Sequence, residues 1–368
     1  MKPVENVRAA EVVVPCAELE PTLAFFTERL GFRVESIMPA DDPSIAVVSG
    51  HGLRLRFERG ASGPAGTLRL ACDDPEALGD GARVLVAPNG LRIELAPAAP
   101  PLVLPPVQPA FVLARANDAT WVRGRAGMRY RDLIPGRLGG RYVASHICIT
   151  DGGPVSDYVH FHRVCFQLIY CHRGWVRVVY EDQGAPFLMQ AGDCVLQPPE
   201  IRHRVLASSP GLEVIEVTCP AVHETCADHE LALPTPHARP ERRFGSQRFV
   251  RHEAERARWE AWRLAGFECR DLGIAEATDG LASACVARPV ATTRASAPAE
   301  HDAELHFVFV LQGSAKLDYG GRIEPLGAGD SVVIPAGHRH AFAACSEDLE
   351  LLAVSSPSAD QGTRSSTS

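Results

Sequence analysis

The amino-acid sequence predicts a mainly β protein with two tandem copies of one β domain behind a small α+β domain. Short runs of β-branched and aromatic residues are separated by Gly, Pro and Asp turns, which is typical of a sandwich or barrel. The phrases HFHRVCFQLIYCHRG and AGDCVLQPPEIRH return as EHDAELHFVFVLQG and AGDSVVIPAGHRH. The matching phrases lie about 139 and about 137 residues apart, and such a long internal repeat indicates one fold used twice.

Composition breaks divide the chain. Two Pro-rich stretches cannot form regular helix or central strand, so we interpret them as linkers. The small polar residues at the C-terminus predict a disordered tail. The predicted parts are 8–97 (α+β domain), 98–139 (Pro-rich linker and connecting segment), 140–230 (first copy), 231–262 (linker), 263–356 (second copy) and 357–368 (tail).

Composition also limits the kinds of partner and the cellular location that the sequence predicts. Hydrophobic residues make up 46% and charged residues 22%, which is typical of a globular protein. The formal net charge of −8 argues against nucleic acid as the main partner. The sequence contains no run of about 18 apolar residues, so it predicts no membrane span. Eleven cysteines without CxxC pairs, and no secretory signal pattern, predict reduced thiols in a cytoplasmic protein.

The front domain combines one helix with several strands. EVVVP reads as a strand, and EPTLAFFTERLGF places Leu23, Phe26 and Leu30 on one helix face, with Gly31 as the C-terminal cap. Strand-like runs RVESIM, SIAVVSG and LRLRFE follow, and LRIELAP comes after a PNG turn. The predicted order is β-α-β-β-β and then a shortened repeat.

This order, with the phrases LAFFTERLGFRV and APNGLRIEL, resembles the vicinal oxygen chelate (glyoxalase/bleomycin-resistance) family. The resemblance implies metal ligands on the first and last strands, where this chain has Glu11 and Glu94. The alternative is a degenerate domain kept for packing or substrate access. A closed metal site needs three or four ligands, and the family's middle ligands are not recognisable here.

The first copy carries a histidine pair at strand spacing. His160 and His162 are two residues apart and therefore point to the same side of a strand. Inward imidazoles are costly to bury unless their nitrogens have partners. Gln167 follows five residues later, and the same alternation points Ile169 and Cys171 inward.

Together with Gly174 and a downstream Gly192-x5-Pro198-x4-His203, these residues resemble the two cupin motifs, G-x5-HxH-x3,4-E-x6-G and G-x5-P-x-G-x2-H. The resemblance implies a double-stranded β-helix barrel in each copy, and His160, His162 and His203 as metal ligands. Gln167 stands where the family usually has Glu, which removes a negative charge. Its amide is expected to coordinate weakly or to orient a water or substrate. A metal-free barrel with hydrogen-bonded core histidines is the alternative.

The second copy keeps a rearranged set. Aligning Gly313 with Gly174 places His301 at the second His position and His306 at the Glu position, and His340 completes three imidazoles. Glu304 is a candidate fourth ligand or acid/base. A decayed site kept for stability is the alternative. Five arginines precede the first copy, in a run expected either to clamp an anion or to lie in a solvated loop: Arg123, Arg125, Arg129, Arg131 and Arg137.

The resemblance favours a non-haem metal-dependent oxygenase, a dioxygenase acting on a small chelating anionic substrate. Fe(II) is the favoured metal, and Zn, Mn or Ni are alternatives. Because three imidazole ligands are neutral, the metal would keep its full 2+ charge when it binds substrate and dioxygen. Gln167 and Glu304 are the candidate catalytic residues. A redox-neutral isomerase, lyase or hydrolase and a non-catalytic small-molecule binder are the alternatives. Either a monomer or a homodimer fits the sequence.

Overall fold

A computed structural model describes residues 11–39, 43–118, 120–124, 128–290 and 294–357 of the chain. The chain divides into two compact units, Met1–Pro101 and Leu102–Ser368. The predicted tail beyond 357 and the first three residues of the predicted front domain lie outside the described residues. Among the described residues, no helix is long and apolar enough to cross a membrane.

The first unit contains two small sheets. Its strands are β1 (Val12–Cys16), β2 (Arg33–Met38), β3 (Ile45–Gly50), β4 (Leu53–Arg59), β5 (Thr67–Cys72), β6 (Val84–Val86) and β7 (Arg92–Pro97). Helix α1 (Leu19–Ala24) continues as a π-helical turn (Phe25–Arg29), and α2 (Pro75–Gly79) follows β5. The sheet orders are β1-β4-β3-β2 and β5-β7-β6. The predicted order, β-α-β-β-β and then a shorter repeat, is confirmed; the family resemblance stays a prediction.

The first copy in the second unit is built from two sheets. The strands from 112 to 252 are β8 (Val112–Ala114), β9 (Val122–Arg123), β10 (Arg129–Asp132), β11 (Val143–Ile149), β12 (Gly153–Pro154), β13 (His160–His162), β14 (Phe166–Arg173), β15 (Trp175–Tyr180), β16 (Phe187–Gln190), β17 (Cys194–Leu196), β18 (His203–Ser208), β19 (Leu212–Cys219), β20 (Thr225–Ala227), β21 (Arg243–Phe244), β22 (Gln247–Arg248) and β23 (Val250–His252). The sheet orders are β23-β17-β14-β19-β11-β10-β9 and β16-β15-β18-β13-β20, with β12 also on β18. Strands β21 and β22 pair with each other, and a short helical turn, α3 (Arg137–Gly140), precedes β11.

The second copy repeats this arrangement. Its strands are β24 (Glu260–Ala261), β25 (Phe267–Asp271), β26 (Ser283–Pro289), β27 (Leu305–Gln312), β28 (Ser314–Tyr319), β29 (Arg322–Gly327), β30 (Ser331–Val333), β31 (His340–Ala343) and β32 (Glu350–Ser356). A 3-10 turn (Ala254–Arg256) and α4 (Ile274–Ala277) are its short helical elements. The sheet orders are β24-β25-β26-β32-β27-β30-β8 and β29-β28-β31. The predicted mainly β fold is confirmed.

The two segments predicted as linkers contribute edge strands to both copies. Strand β8 pairs with β30 of the second copy, although it precedes the first copy in sequence. Strands β9 and β10 extend the first copy, β23 pairs with its β17, and β24 pairs with β25 of the second copy. The paired runs are two to four residues long and lie in the proline-free stretches 110–134 and 241–288, where every residue keeps the backbone donor that pairing at a sheet edge needs. Such runs are too short for periodicity to reveal them.

The large sheets of the two copies share one hydrophobic core. On β14, Phe166, Leu168 and Tyr170 enter this core, and on β27, Phe307 and Phe309 enter it from the other copy. Alternate side chains of a strand point to opposite faces, so the residues between them point into each copy. As predicted, Ile169 and Cys171 of the first copy belong to its interior cluster.

Candidate metal centre

The first copy brings its three predicted ligands together across two neighbouring strands. His160 and His162 lie on β13, and His203 begins β18, where it pairs directly with His160. One ring nitrogen from each lies within 4.8 Å of the others, and no other such group of His, Cys, Asp and Glu occurs among the described residues. The ring centroids are 4.2 Å apart for His160–His203 and 5.2 Å apart for each of the other two pairs.

Backbone carbonyls set the tautomers of two of these histidines. His160 Nδ1 lies 2.8 Å from the Tyr158 carbonyl oxygen, and His203 Nδ1 lies 3.0 Å from that of Ile201. A carbonyl oxygen only accepts, so each Nδ1 carries the proton and donates. The lone pair of each neutral ring is then on Nε2, which is the form that binds metal. The donor chemistry of the pair therefore fits a divalent transition metal.

The third imidazole is oriented by a hydroxyl from the neighbouring strand. His162 Nδ1 lies 2.9 Å from Thr225 Oγ1, and β13 pairs with β20 so that His162 and Thr225 are direct neighbours. A hydroxyl can accept from Nδ1, which gives His162 the same tautomer as the other two rings. Outer partners of this kind hold a ligand ring in the orientation that metal binding needs.

Replacing Thr225 with Val is expected to weaken metal binding by roughly tenfold, the lower end of the effect of losing an outer partner. The lower end applies because His162 is only half-buried and water can replace the lost hydroxyl. Affinity is measured by competition with a chromophoric chelator. Thr235→Val is the matched control, since the Thr235 hydroxyl accepts instead from the backbone of Asp182. Equal affinities in the two variants would show that Thr225 does not orient the ligand.

The three imidazoles adjoin a cavity of about 340 Å³ inside the first copy. His162 and His203 line it, whereas His160 is buried and is not part of its wall. More than half of the lining residues are aliphatic or aromatic, and the polar ones include Gln167, Gln197 and Glu216. Small-molecule sites are typically apolar cavities of this size with a few fixed polar groups.

Gln167 presents its amide to a carboxylate that sequence reasoning missed. Gln167 Nε2 donates to Glu216 Oε1 at 2.6 Å, and both side chains line the cavity. Strand β14 pairs with β19 so that Gln167 lies opposite Thr218, two residues from Glu216. Gln167 itself carries no charge, but the adjacent strand supplies a carboxylate next to its amide. Glu216 is the inward polar residue in LEVIEVTC, and strand alternation alone could have indicated it.

Gln197, also unpredicted, contacts the ligand nitrogen of His203. Gln197 Nε2 lies 2.9 Å from His203 Nε2, and both residues line the cavity. Since His203 Nδ1 donates to Ile201, Nε2 accepts a hydrogen bond from the Gln197 amide. Metal binding at Nε2 therefore replaces this hydrogen bond. Gln197 directly precedes Pro198 of the second motif, and this neighbouring position is the only sequence signal for it.

Two further aromatic rings lie next to His203 and His162. The Tyr180 ring stacks on that of His203, with centroids 5.4 Å apart and an interplanar angle of 22°. His223 lies 5.5 Å from His162 between centroids and also lines the cavity. Its Nδ1 is 3.0 Å from the Pro220 carbonyl oxygen, so its Nε2 is also an acceptor. Sequence analysis missed His223 because it belongs to neither motif.

The second copy also gathers its three histidines, with a different geometry. The ring centroids of His301, His306 and His340 are 4.7, 5.8 and 5.6 Å apart, and all three residues are buried. Burial lowers the pKa of His301 to about 4, and it lowers the pKa of His340 and, most strongly, of His306. The nearby charge of Arg263 acts in the same direction on all three. These imidazoles are therefore neutral near pH 7.

Glu304 lies against other partners. Its Oε2 accepts hydrogen bonds from Arg141 Nη2 at 3.1 Å and from the Tyr142 hydroxyl at 3.2 Å. Burial raises the pKa of Tyr142 to about 12, so this hydroxyl remains a donor at neutral pH. The structure thus directs the Glu304 carboxylate to residues that precede β11 rather than to the imidazoles. The predicted catalytic role of Glu304 has no supporting contact among the described residues.

The arginines that precede the first copy lie in different environments. Arg131 is only 5% exposed and donates to the Gly329 carbonyl of the second copy, so a solvated loop is the wrong interpretation for it. Arg137 is half-exposed, lines the cavity and lies 3.6 Å from Asp132. Arg129 stacks over Trp121. The predicted Arg125 lies outside the described residues.

The two carboxylates of the first unit are not brought together. Glu11 pairs with Arg54 at 3.0 Å, and Glu94 pairs with Arg92 at 3.3 Å. They lie at strands of different sheets, β1 and β7. Metal binding by this pair stays a prediction without converging ligands, and the alternative of a packing or access role remains open.

The comparisons with known proteins define the class. Residues 290–355, most of the second copy, match the family described as the cupin domain. The two copies together have the fold of bicupin proteins. No curated protein sequence matches the chain.

Three solved structures illustrate the similarity of fold. The protein YlbA from E. coli has a TM-score of 0.50 at 11% identity, over 68% of this chain and 93% of that one. Oxalate decarboxylase from Lactobacillus farciminis, in complex with formate, has a TM-score of 0.50 at 17% identity, over 67% of this chain and 86% of that one. Salicylate 1,2-dioxygenase from Pseudoaminobacter salicylatoxidans, with gentisate, has a TM-score of 0.50 at 16% identity, over 69% of this chain and 83% of that one. At these identities the likeness shows the fold alone.

Proposed function

We propose that this protein is an iron(II)-dependent dioxygenase that acts on a small, anionic, chelating organic substrate in the cavity of the first copy. The observation that carries the proposal is three converging imidazoles at a largely apolar cavity, two of which hydrogen-bond backbone carbonyls through Nδ1. Two proteins of similar fold have small carboxylates bound, gentisate in one and formate in the other. Their chemistry supports an acid as the substrate class.

His160, His162 and His203 would hold the metal, which supplies Lewis acidity and one-electron redox chemistry for the reaction with dioxygen. Because the three ligands are neutral, the metal would keep its charge apart from the influence of Glu216 in the cavity wall, and this favours an anionic substrate. The apolar wall excludes water and suits a flat hydrocarbon body. Arg137 in the cavity wall would bind the carboxylate of the substrate.

Glu216 is the residue best placed to accept a proton from a substrate hydroxyl. It lines the cavity, and the hydrogen bond from Gln167 fixes its carboxylate. When a hydroxy acid chelates through its deprotonated hydroxyl, a carboxylate inside the cavity can receive the proton. Gln167 then acts as a positioning residue, consistent with the predicted role of its amide in orienting groups at the site.

The proposal is tested with anaerobically purified protein loaded with Fe(II), Mn(II) or Zn(II). Oxygen consumption is recorded with salicylate, gentisate and oxalate. Uptake of dioxygen that requires both iron and a hydroxybenzoate supports the dioxygenase. Carbon dioxide release from oxalate without net oxygen uptake would instead support a redox-neutral lyase. Tight binding of the acids without turnover under any metal would support a non-catalytic binding protein.

The Glu216→Gln variant is expected to lower kcat/KM by about 100-fold or more, which is typical for removal of a general base. Glu213→Gln is the matched control, because Glu213 lies on the same strand but contacts His146 on the opposite face. Steady-state rates are compared at matched metal occupancy. If the two variants lose activity equally, Glu216 is not the base.

A further inference from the structure

We propose that the second copy is a latent metal site that Arg263 keeps free of divalent cations, so that each chain binds a single metal ion in the first copy. The proposal uses the metal assignment of the first copy but does not depend on the reaction catalysed there. It addresses His301, His306 and His340, whose number alone would suggest a second metal centre.

Arg263 imposes the wrong tautomer on the central imidazole. Arg263 Nη2 lies 3.3 Å from His306 Nδ1, and Ser355 Oγ lies 2.9 Å from the same atom. A guanidinium only donates, so His306 Nδ1 must accept and carry the lone pair. The proton of the neutral ring is then on Nε2, which cannot bind a metal while it is protonated.

The first copy shows the opposite arrangement. There the Nδ1 atoms of His160 and His203 face carbonyl oxygens, which hold the proton on Nδ1 and the lone pair on Nε2. The two copies of the fold therefore place similar imidazoles in opposite protonation patterns. The cause is the outer partner of each ring, a carbonyl acceptor in one copy and a guanidinium donor in the other.

The charge of Arg263 acts in the same direction. The guanidinium keeps its charge at all physiological pH values, and it contacts an imidazole that is 1% exposed. The side chain of Arg263 is itself exposed, so solvent screens part of its charge, and its repulsion of a dication beside the buried ring adds to the effect of the tautomer. The guanidinium thus adds a fixed positive charge beside the cluster.

Access and geometry agree with this interpretation. A cavity of about 240 Å³ on this side of the second copy is lined by Arg263 and Ser355 but by none of the three histidines. Glu260 and Asp271 lie in the same wall and favour a retained positive charge on Arg263.

The test is metal content, measured by elemental analysis after anaerobic loading of the full chain with Fe(II) or Co(II) and removal of free metal. We expect one equivalent per chain in the wild type, loss of it in His203→Ala and no change in His340→Ala. Arg263→Met, which keeps the length but removes the charge and donors, is expected to gain a second equivalent. Arg263→Lys, which keeps the charge, is the matched control and should stay at one.

Two equivalents in the wild type, or loss of metal in His340→Ala, would overturn the proposal whether or not the Arg263 variants fold. A folded Arg263→Met protein that still binds one equivalent would remove Arg263 from its assigned role. Failure of the dioxygenase assay leaves these outcomes unaffected, because metal content is read without substrate. A second set of cobalt absorption bands in Arg263→Met, absent from Arg263→Met/His340→Ala, would locate the new ion.

Discussion

Replacing His203 with Ala is expected to remove the metal from the first copy and with it all substrate-dependent oxygen uptake. His203 contributes one of three ligand nitrogens and pairs directly with His160 across the strands. Removing an outer partner costs roughly 10–100-fold in metal affinity, and removing a ligand should cost more. Metal content after loading and gel filtration should fall from one equivalent per chain to background. Oxygen consumption measures the loss of activity.

The matched control is His237→Ala, which removes an exposed imidazole from the segment between the two copies. This variant should bind metal as the wild type does. His160→Ala and His162→Ala should behave like His203→Ala, since each leaves only two imidazoles. Wild-type metal content in all three variants would refute both the metal centre and the proposed function.

Replacing Phe166 with Ala is expected to lower the free energy of unfolding by about 3–5 kcal/mol, the usual cost of a buried Phe-to-Ala change. Phe166 is fully buried in the core that the two copies share. Typical domains are stable by only about 5–15 kcal/mol, so this loss is a large fraction of the total. Because Phe166 lies in a core that residues of both copies form, we expect both copies to lose stability together. Urea unfolding followed by circular dichroism gives the change.

Phe307→Ala provides the companion variant, because Phe307 enters the same core from the second copy. The two variants should lower the unfolding midpoint by similar amounts. Val222→Ala is the control on the surface, where a truncation usually changes stability by less than about 0.5 kcal/mol. Two separate transitions, with only one moved by each Phe variant, would show that the copies unfold independently.

The spacing of residues along single strands predicted most of the architecture and the central ligands. A period of two placed His160 with His162 on one face, and it pointed Ile169 into the first copy. These features depend on neighbours within one strand, and the local sequence specifies them. The repeat likewise revealed the tandem arrangement, because each copy has the same local pattern.

Residues that act across strands could not be predicted in the same way. Glu216 reaches Gln167 because β19 pairs with β14 in one particular register, and Arg263 reaches His306 from a segment more than forty residues away in sequence. The edge strand β8 crosses to the second copy before the first begins. Strand alternation points Glu216 inward, but no periodic signal in the sequence gives the partner of any of these residues.

The sequence by itself determined that this is a mainly β protein with a repeated domain and three imidazoles at motif spacing. Only the tertiary structure decided the surroundings of those imidazoles, which comprise carbonyl acceptors and a carboxylate in the first copy and a guanidinium in the second. The physical reason is that ligand identity follows from residue type and strand period. Protonation and charge instead depend on which groups folding brings within hydrogen-bond distance.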